Sequence, residues 1–355
     1  MPVLGTRELE LPLIQGGMGV GVSLGNLAGH VAACGGMGVI SSVNAGYARP
    51  EFEKDPLAAN LAALREEIGK AKEIAGGRGM VGVNIMVATN HYPETVREAV
   101  AAGADAIISG AGLPTDLPAL AGDAPVLLAP IVSSGRAAST ICRLWQRRHG
   151  RLPDFLVIEG CEAGGHLGFS REELEQALAL PLKTLLADVR RALEPFEKES
   201  GRPLPVFVAG GVYTGADIAF YRSLGAAGVQ MATRFIATHE CDASPGYKQA
   251  MLRAKKEDIR LVSSPVGMPG RALNSPLLHR LDTGERFPPL RCNDCLRVCP
   301  HAETPYCISR ALVEAVRGNW EEGLFFCGSS AWRLDRLLTV RELINELMDE
   351  RSAKP

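Results

Sequence analysis

Several features are missing from this 355-residue sequence, and each absence removes a class of function. No run approaches the roughly 18 consecutive apolar residues that a membrane-spanning helix needs. The opening MPVLGTRELELPLIQGG has no basic start followed by an apolar core, so no secretory leader is expected and the chain reads as soluble and cytoplasmic. Charge of one sign is not in excess either. Lys and Arg total 38 against 40 Asp and Glu, for a net charge of -2, and the basic residues are scattered. That pattern speaks against nucleic acid as the main partner and favours a small-molecule substrate. No Walker or GxGxxG spacing stands at the glycine-containing turns after the predicted strands seven and eight.

What is there is a repeated joint. AACGGMGVISSV (32–43), AAGADAIISGAG (101–112) and SLGAAGVQMATR (223–234) each stop a helical pattern at glycine, turn on small residues and enter a short apolar run. Runs apolar on both faces suit parallel strands covered by helices. Eight candidates follow in order: LPLIQGG, GVISS, MVGVNIMV, DAIISGAG, APVLLAPIVSS, DFLVIEG, PVFVAGGV and GVQMATRF. Helical patterns over 56–75, 92–102, 136–149, 182–193 and 215–224 lie between them, and 112–123 is the weakest crossover. Eight alternating units predict an α/β fold of the (β/α)8 TIM-barrel kind over 1–238, with a doubly wound open sheet as the alternative. From 239 to 355 the alternation stops. A mainly helical, Cys-containing C-terminal addition with no sheet of its own is expected to pack on the barrel and cover one mouth.

In such a barrel the chemistry gathers where strands finish. Strand six ends near Glu159, so CEAGGHLG places Gly164, Gly165 and His166 in a loop at the open end. Paired glycines let backbone approach a flat ligand beside a titratable ring; the competing reading is a glycine-rich turn whose histidine bonds its own loop. Gly210 and Gly211 after strand seven, and Ala232 and Thr233 after strand eight, leave backbone N–H groups bare where barrels commonly hold a phosphate. Small residues making tight turns would look the same. Gly17 and Met18 close strand one. Asn84 sits inside an apolar run and needs a polar partner, from a heterocycle or from neighbouring backbone.

The motifs PLIQGGMGVG, GVNIMV, IEGCEAGGHLGF and FVAGGVYTGADIAFYRSLGAAGVQMATRFIAT occur in this order. Together they resemble the nitronate monooxygenases, formerly 2-nitropropane dioxygenases, across nearly the whole barrel. FMN-dependent enoyl-acyl-carrier-protein reductases share the AGGH and AGG/TRF motifs. The resemblance implies an FMN-dependent TIM barrel, with flavin phosphate on the backbone of Gly210, Gly211, Ala232 and Thr233. It implies a flavin ring near Met18 and Asn84, Gly164 and Gly165 beside the cofactor, and His166 as the active-site histidine. Ser109 and Glu159 are expected to line the mouth with Gly17. Alanine at 232 replaces the family's usual glycine before TRF, a small change that keeps the N–H accessible. The implied activity is oxidation of alkyl nitronates by dioxygen to a carbonyl compound and nitrite. The alternative is an FMN-dependent NAD(P)H oxidoreductase acting on an enoyl thioester or a quinone. An imidazolium would steady a nitronate anion, whereas a neutral imidazole would take the α-proton of a nitroalkane.

Nine cysteines remain to be placed, and four crowd into RCNDCLRVCPHAETPYC. Cys292, Cys295, Cys299 and Cys307 form C-x2-C-x3-C-x7-C, with His301 close by. The set suits zinc or an iron–sulfur cluster, but the spacing matches neither a zinc ribbon nor a ferredoxin, and structural thiols or an occasional disulfide are the favoured reading. Arg271 and Asn274 could reach over the mouth toward an anionic substrate. His30 reads as a satisfied helix histidine. A homo-oligomer is compatible with the sequence.

Overall fold

A computed structural model describes residues 1–289, 291–299 and 303–349. Eight parallel strands close into a barrel: β1 (Leu13–Gln15), β2 (Met37–Ser41), β3 (Met80–Met86), β4 (Ala106–Gly110), β5 (Leu127–Val132), β6 (Leu156–Glu159), β7 (Val206–Ala209) and β8 (Gly228–Met231). Closure, which rules out the open sheet, is made by β8 against β1, with Val229 opposite Leu13 and Met231 opposite Gln15. Every predicted strand is present.

Side-chain alternation sorts each strand into two cores. Phe155 and Val157 point inward with Ile14, Val39, Met80, Ile108 and Phe207, while Leu156 and Ile158 point outward against the helices. Phe155 and Phe207 meet edge to face at 5.7 Å in the barrel interior. Leu4 and Leu9, from the N-terminal hairpin of Val3–Leu4 and Arg7–Glu8, pack into the same inner core.

The helices start and stop as their ends dictate. Asp55 caps Pro56–Ala75 by accepting from the Ala58 N–H, and Gly76 ends it at φ 57°. Ser134 caps Gly135–His149 in the same way, and Gly150 ends it at φ 61°. Gly35, Gly103 and Gly225, the three repeated joints, all take positive φ (95°, 83° and 92°), which a Cβ would disfavour. The weak crossover is a five-residue helix, Leu117–Ala121.

The C-terminal part differs from expectation in one respect. It contains the helices Ile308–Val316 and Val340–Met348, but also an antiparallel hairpin, β9 (Ile259–Ser263) and β10 (Pro269–Leu273). A short segment of the sixth barrel loop joins that hairpin, with Gly270 opposite His166 and Arg271 opposite Gly165. IRLVS and PGRAL are too short and too rich in charge or turn formers to announce strands, and their third partner lies about a hundred residues upstream. No described helix is long and apolar enough to cross a membrane.

Candidate active site

The carboxyl ends of the strands open into a cavity of about 640 Å³. Gly17, Met18, Asn84, Glu159, Gly164, Gly165, His166, Gly210, Gly211, Ala232 and Thr233 all line it. Ser109 does not. Ala106 and Ile108 take the inward positions of β4, which turns Ser109 outward, where its hydroxyl donates to Ile85 O (2.7 Å) and meets Tyr92 Oη (2.9 Å). The same alternation turns Asn84, Glu159 and Gln230 inward, so strand parity would have removed Ser109 and added Gln230.

His166 is fixed from three sides. Its backbone pairs with Gly270, its Nε2 lies 2.7 Å from Ser264 Oγ, and its ring meets Phe326 edge to face at 5.1 Å. Nδ1 has no protein partner among the described residues. Burial pulls its pKa from 6.5 down to about 4, so the imidazole is neutral at physiological pH. Burial acts oppositely on Glu159, whose carboxyl is pushed up to about 8 and is therefore protonated there. Among the described residues no Lys or Arg lines the cavity.

Arg271 does not reach over the mouth. Its Nη1 donates to Cys161 O at 2.7 Å and Ala163 O at 2.6 Å, bracing the loop that carries His166. Asn274 is also turned to structure, accepting from Arg260 at 3.1 Å. Arg234, from the TRF motif, donates to Tyr213 O (3.0 Å) and Glu346 (2.9 Å), tying the strand-seven loop to the helix Val340–Met348. His30 is satisfied within its helix, Nδ1 lying 2.8 Å from Asn26 O.

The glycines are set by close approach. A Cβ on Gly211, at φ 82°, would collide with the Glu162 carboxylate, and one on Gly17 would sit 2.5 Å from Asn84 Cβ. A Cβ on Gly164 would run into the backbone of Cys327 and Gly328. The segment Phe326, Cys327, Gly328, Ser329 and Ser330 thereby forms a wall of the cavity, held by a Gly328 N–H to Thr233 Oγ1 bond of 3.0 Å. Sequence reasoning missed this wall and Ser264, because neither carries a local signal.

Such a cavity fits a phosphate-bearing flavin. Bare glycine backbone stands where a phosphate would need N–H donors and no side-chain cation competes. Asn84, whose Nδ2 is engaged with Ile108 O at 3.3 Å, presents an amide to the cavity, and Met18 presents an apolar face.

The four clustered cysteines lie together elsewhere, around a second cavity of about 510 Å³. Burial, then the neighbouring Cys307, Cys292 and Cys299, push the Cys295 thiol up to about 12. All four are free of disulfides. Among the described residues no three His, Cys, Asp or Glu side chains are placed to hold a metal ion, so neither the zinc nor the iron–sulfur expectation is shown there. His301 falls outside the described residues.

Comparison with known proteins gives this geometry a lineage. The chain is 24% identical, over 96% of its length and 92% of the relative's, to a Mycobacterium tuberculosis (3aS,4S,5R,7aS)-5-hydroxy-7a-methyl-1-oxo-octahydro-1H-indene-4-carboxyl-CoA dehydrogenase. It is 30% identical to a Pseudomonas aeruginosa nitronate monooxygenase over 56% of this chain and 51% of the relative. Among solved structures, FabK from Thermotoga maritima superposes with a TM-score of 0.72 at 25% identity, covering 96% of this chain and 93% of that one. A Streptomyces ansochromogenes nitroalkane oxidase shares the fold at a TM-score of 0.70 and 22% identity, with 96% of each chain covered. The family model for nitronate monooxygenase matches residues 3–350, so the chain belongs to the nitronate monooxygenase family and is an oxidoreductase.

Proposed function

We propose that this enzyme binds FMN in the barrel mouth and oxidises nitroalkanes and their nitronates with dioxygen, giving a carbonyl compound and nitrite. The observation that carries the reading is a neutral His166 facing the cavity. Gly210, Gly211, Ala232 and Thr233 would hold the phosphate through backbone N–H groups, and Gly17, Met18, Asn84, Gly164 and Gly165 would border the ring. When bound, FMN supplies the acceptance of electrons from the substrate and their delivery to dioxygen.

The residues of the chain do the rest. A neutral imidazole takes the proton on the carbon next to the nitro group, and Ser264, bonded to Nε2, fixes the ring for that transfer. The protonated Glu159 donates a hydrogen bond into the mouth, where an ionised carboxylate would repel an anion. Phe326 and Met18 limit water around the reacting carbon. Residues 1–238 form the cofactor-binding unit in this reading and 239–355 shape the mouth. The FMN-loaded protein should consume oxygen with ethyl nitronate or nitroethane and no pyridine nucleotide.

One observation favours a second reading, an FMN-dependent oxidoreductase linked to NAD(P) and acting on an acyl thioester. A relative matched over nearly its whole length is named for a carboxyl-CoA substrate. A neutral base would serve equally to take a hydroxyl proton from such a substrate. Rapid bleaching of flavin absorbance by NADH or NADPH, with no oxygen uptake on nitronate, would select this reading over the first.

A further inference from the structure

The cysteine-rich stretch is the motif that the oxidoreductase reading leaves unused. Cys292, Cys295, Cys299 and Cys307 all line the second cavity, which is walled on other sides by Tyr47 and Phe52 and by the helix Ile308–Val316. Two familiar fates of clustered thiols do not describe it. A disulfide would bond two of the sulfurs, and none is bonded. A tetrahedral zinc, with each sulfur about 2.3 Å from the metal, would draw them to one point, and no such convergence exists among the described residues. Four cysteines around one hollow are the ligand number of an iron–sulfur cluster, whose bridged metal atoms take the sulfurs at separate points.

The local backbone is built for thiolate ligation. Asp294, inside the Cys292–Cys295 turn, takes a left-handed φ of 49°, and its N–H donates to Cys292 Sγ at 3.4 Å. Hydrogen bonds from backbone to sulfur are among the levers that tune iron–sulfur centres. The turn is anchored to the barrel independently of any metal: Asn90 donates through its side chain to Asp294 O at 2.9 Å and through its N–H to Cys295 O at 3.3 Å. Cys307 is fixed at the start of the helix Ile308–Val316, its N–H donating to Phe287 O at 3.0 Å.

We propose that Cys292, Cys295, Cys299 and Cys307 ligate an iron–sulfur cluster, one sulfur from each. The helix Ile308–Val316 turns Leu312 to the barrel-mouth cavity and Ser309 and Val313 to the cysteine cavity. One helix diameter, about 10 Å, therefore separates the cysteine cavity from the mouth, and the cluster would be a second redox centre beside the first.

The test is metal and sulfide analysis of the full chain, purified without oxygen and reconstituted with ferrous iron and sulfide. Iron and acid-labile sulfide should bind in equal amounts, about two or about four of each per chain, the count giving the nuclearity. A low-temperature paramagnetic signal should appear on dithionite reduction. Cys295→Ser and Cys299→Ser should each lose at least half of the iron and sulfide while keeping wild-type circular dichroism, and Cys34→Ser should lose neither. If the variants do not fold, the wild-type analysis decides alone. Wild-type protein that takes up no iron and sulfide, that binds one zinc in their place, or whose iron survives both cysteine substitutions overturns the proposal.

Discussion

The barrel and the C-terminal addition hold their shape in opposite ways. Each barrel strand is an apolar run paired to its neighbours in chain order, and several helices between strands are capped by a side chain of their own, from Asp55, Ser134, Ser170 and Thr214. The addition caps two of its helices locally, with Ser244 and Thr339, but its hairpin reaches back to the sixth barrel loop, and its cavity wall depends on a glycine in that loop. His166 lies at the seam. The barrel puts it at the mouth, and the addition decides what it touches and hence its protonation.

The comparison can be broken most sharply at His166 itself. His166→Ala should lower kcat/KM with a nitroalkane by about 10² to 10⁴, the usual worth of a general base, with bound flavin unchanged by absorbance; loss of flavin instead would make the residue a cofactor ligand. Gly164→Val comes next. Its side chain must displace the Cys327–Gly328 backbone, so thermal unfolding should report a loss of about 1–3 kcal/mol together with weaker flavin retention. Unchanged stability would mean that the addition does not rest on the loop.

Arg271→Ala removes two bonds to loop carbonyls and should cost about 1–3 kcal/mol in chemical denaturation. Its effect should fall on kcat rather than on KM, because the guanidinium braces the loop and does not meet substrate. The mildest change is Ser264→Ala, expected to reduce kcat by up to about tenfold, equivalent to one hydrogen bond.

The pH dependence sharpens the same seam. A base with its pKa near 4 keeps kcat/KM level down to about pH 4, where an exposed histidine would already lose activity near 6.5. Glu159, neutral up to about pH 8, should give the alkaline limb, which Glu159→Gln should remove. For stability the signs follow from which state holds the proton. The unfolded chain protonates His166 first, so this contribution is lost as pH falls from 6.5 through 4. The unfolded chain ionises Glu159 first, so that contribution is lost as pH rises from 4.5 through 8.

Legibility tracked how local the cause was. The helix 56–75 could be read to the residue because Asp55, Pro56 and Gly76 mark its ends within the chain itself. The eight strands were readable because parallel strands are apolar on both faces and stop at glycine. Ser109 was misplaced although the information was present, since counting by twos from Ile108 turns it outward. The hairpin 259–273 and the roles of Arg271 and Ser264 were not readable, because their partners are Gly165, His166, Cys161 and Ala163, about a hundred residues away.

By itself the sequence determined the barrel, its open end, and eleven of the residues that line the mouth, since periodicity and glycine placement act over a few residues. Only the tertiary structure decided that His166 is neutral, that Glu159 is protonated, and that Arg271 serves the loop instead of the substrate. Those properties depend on desolvation and on which distant backbone comes within hydrogen-bonding reach, quantities that exist only once the addition has closed over the barrel.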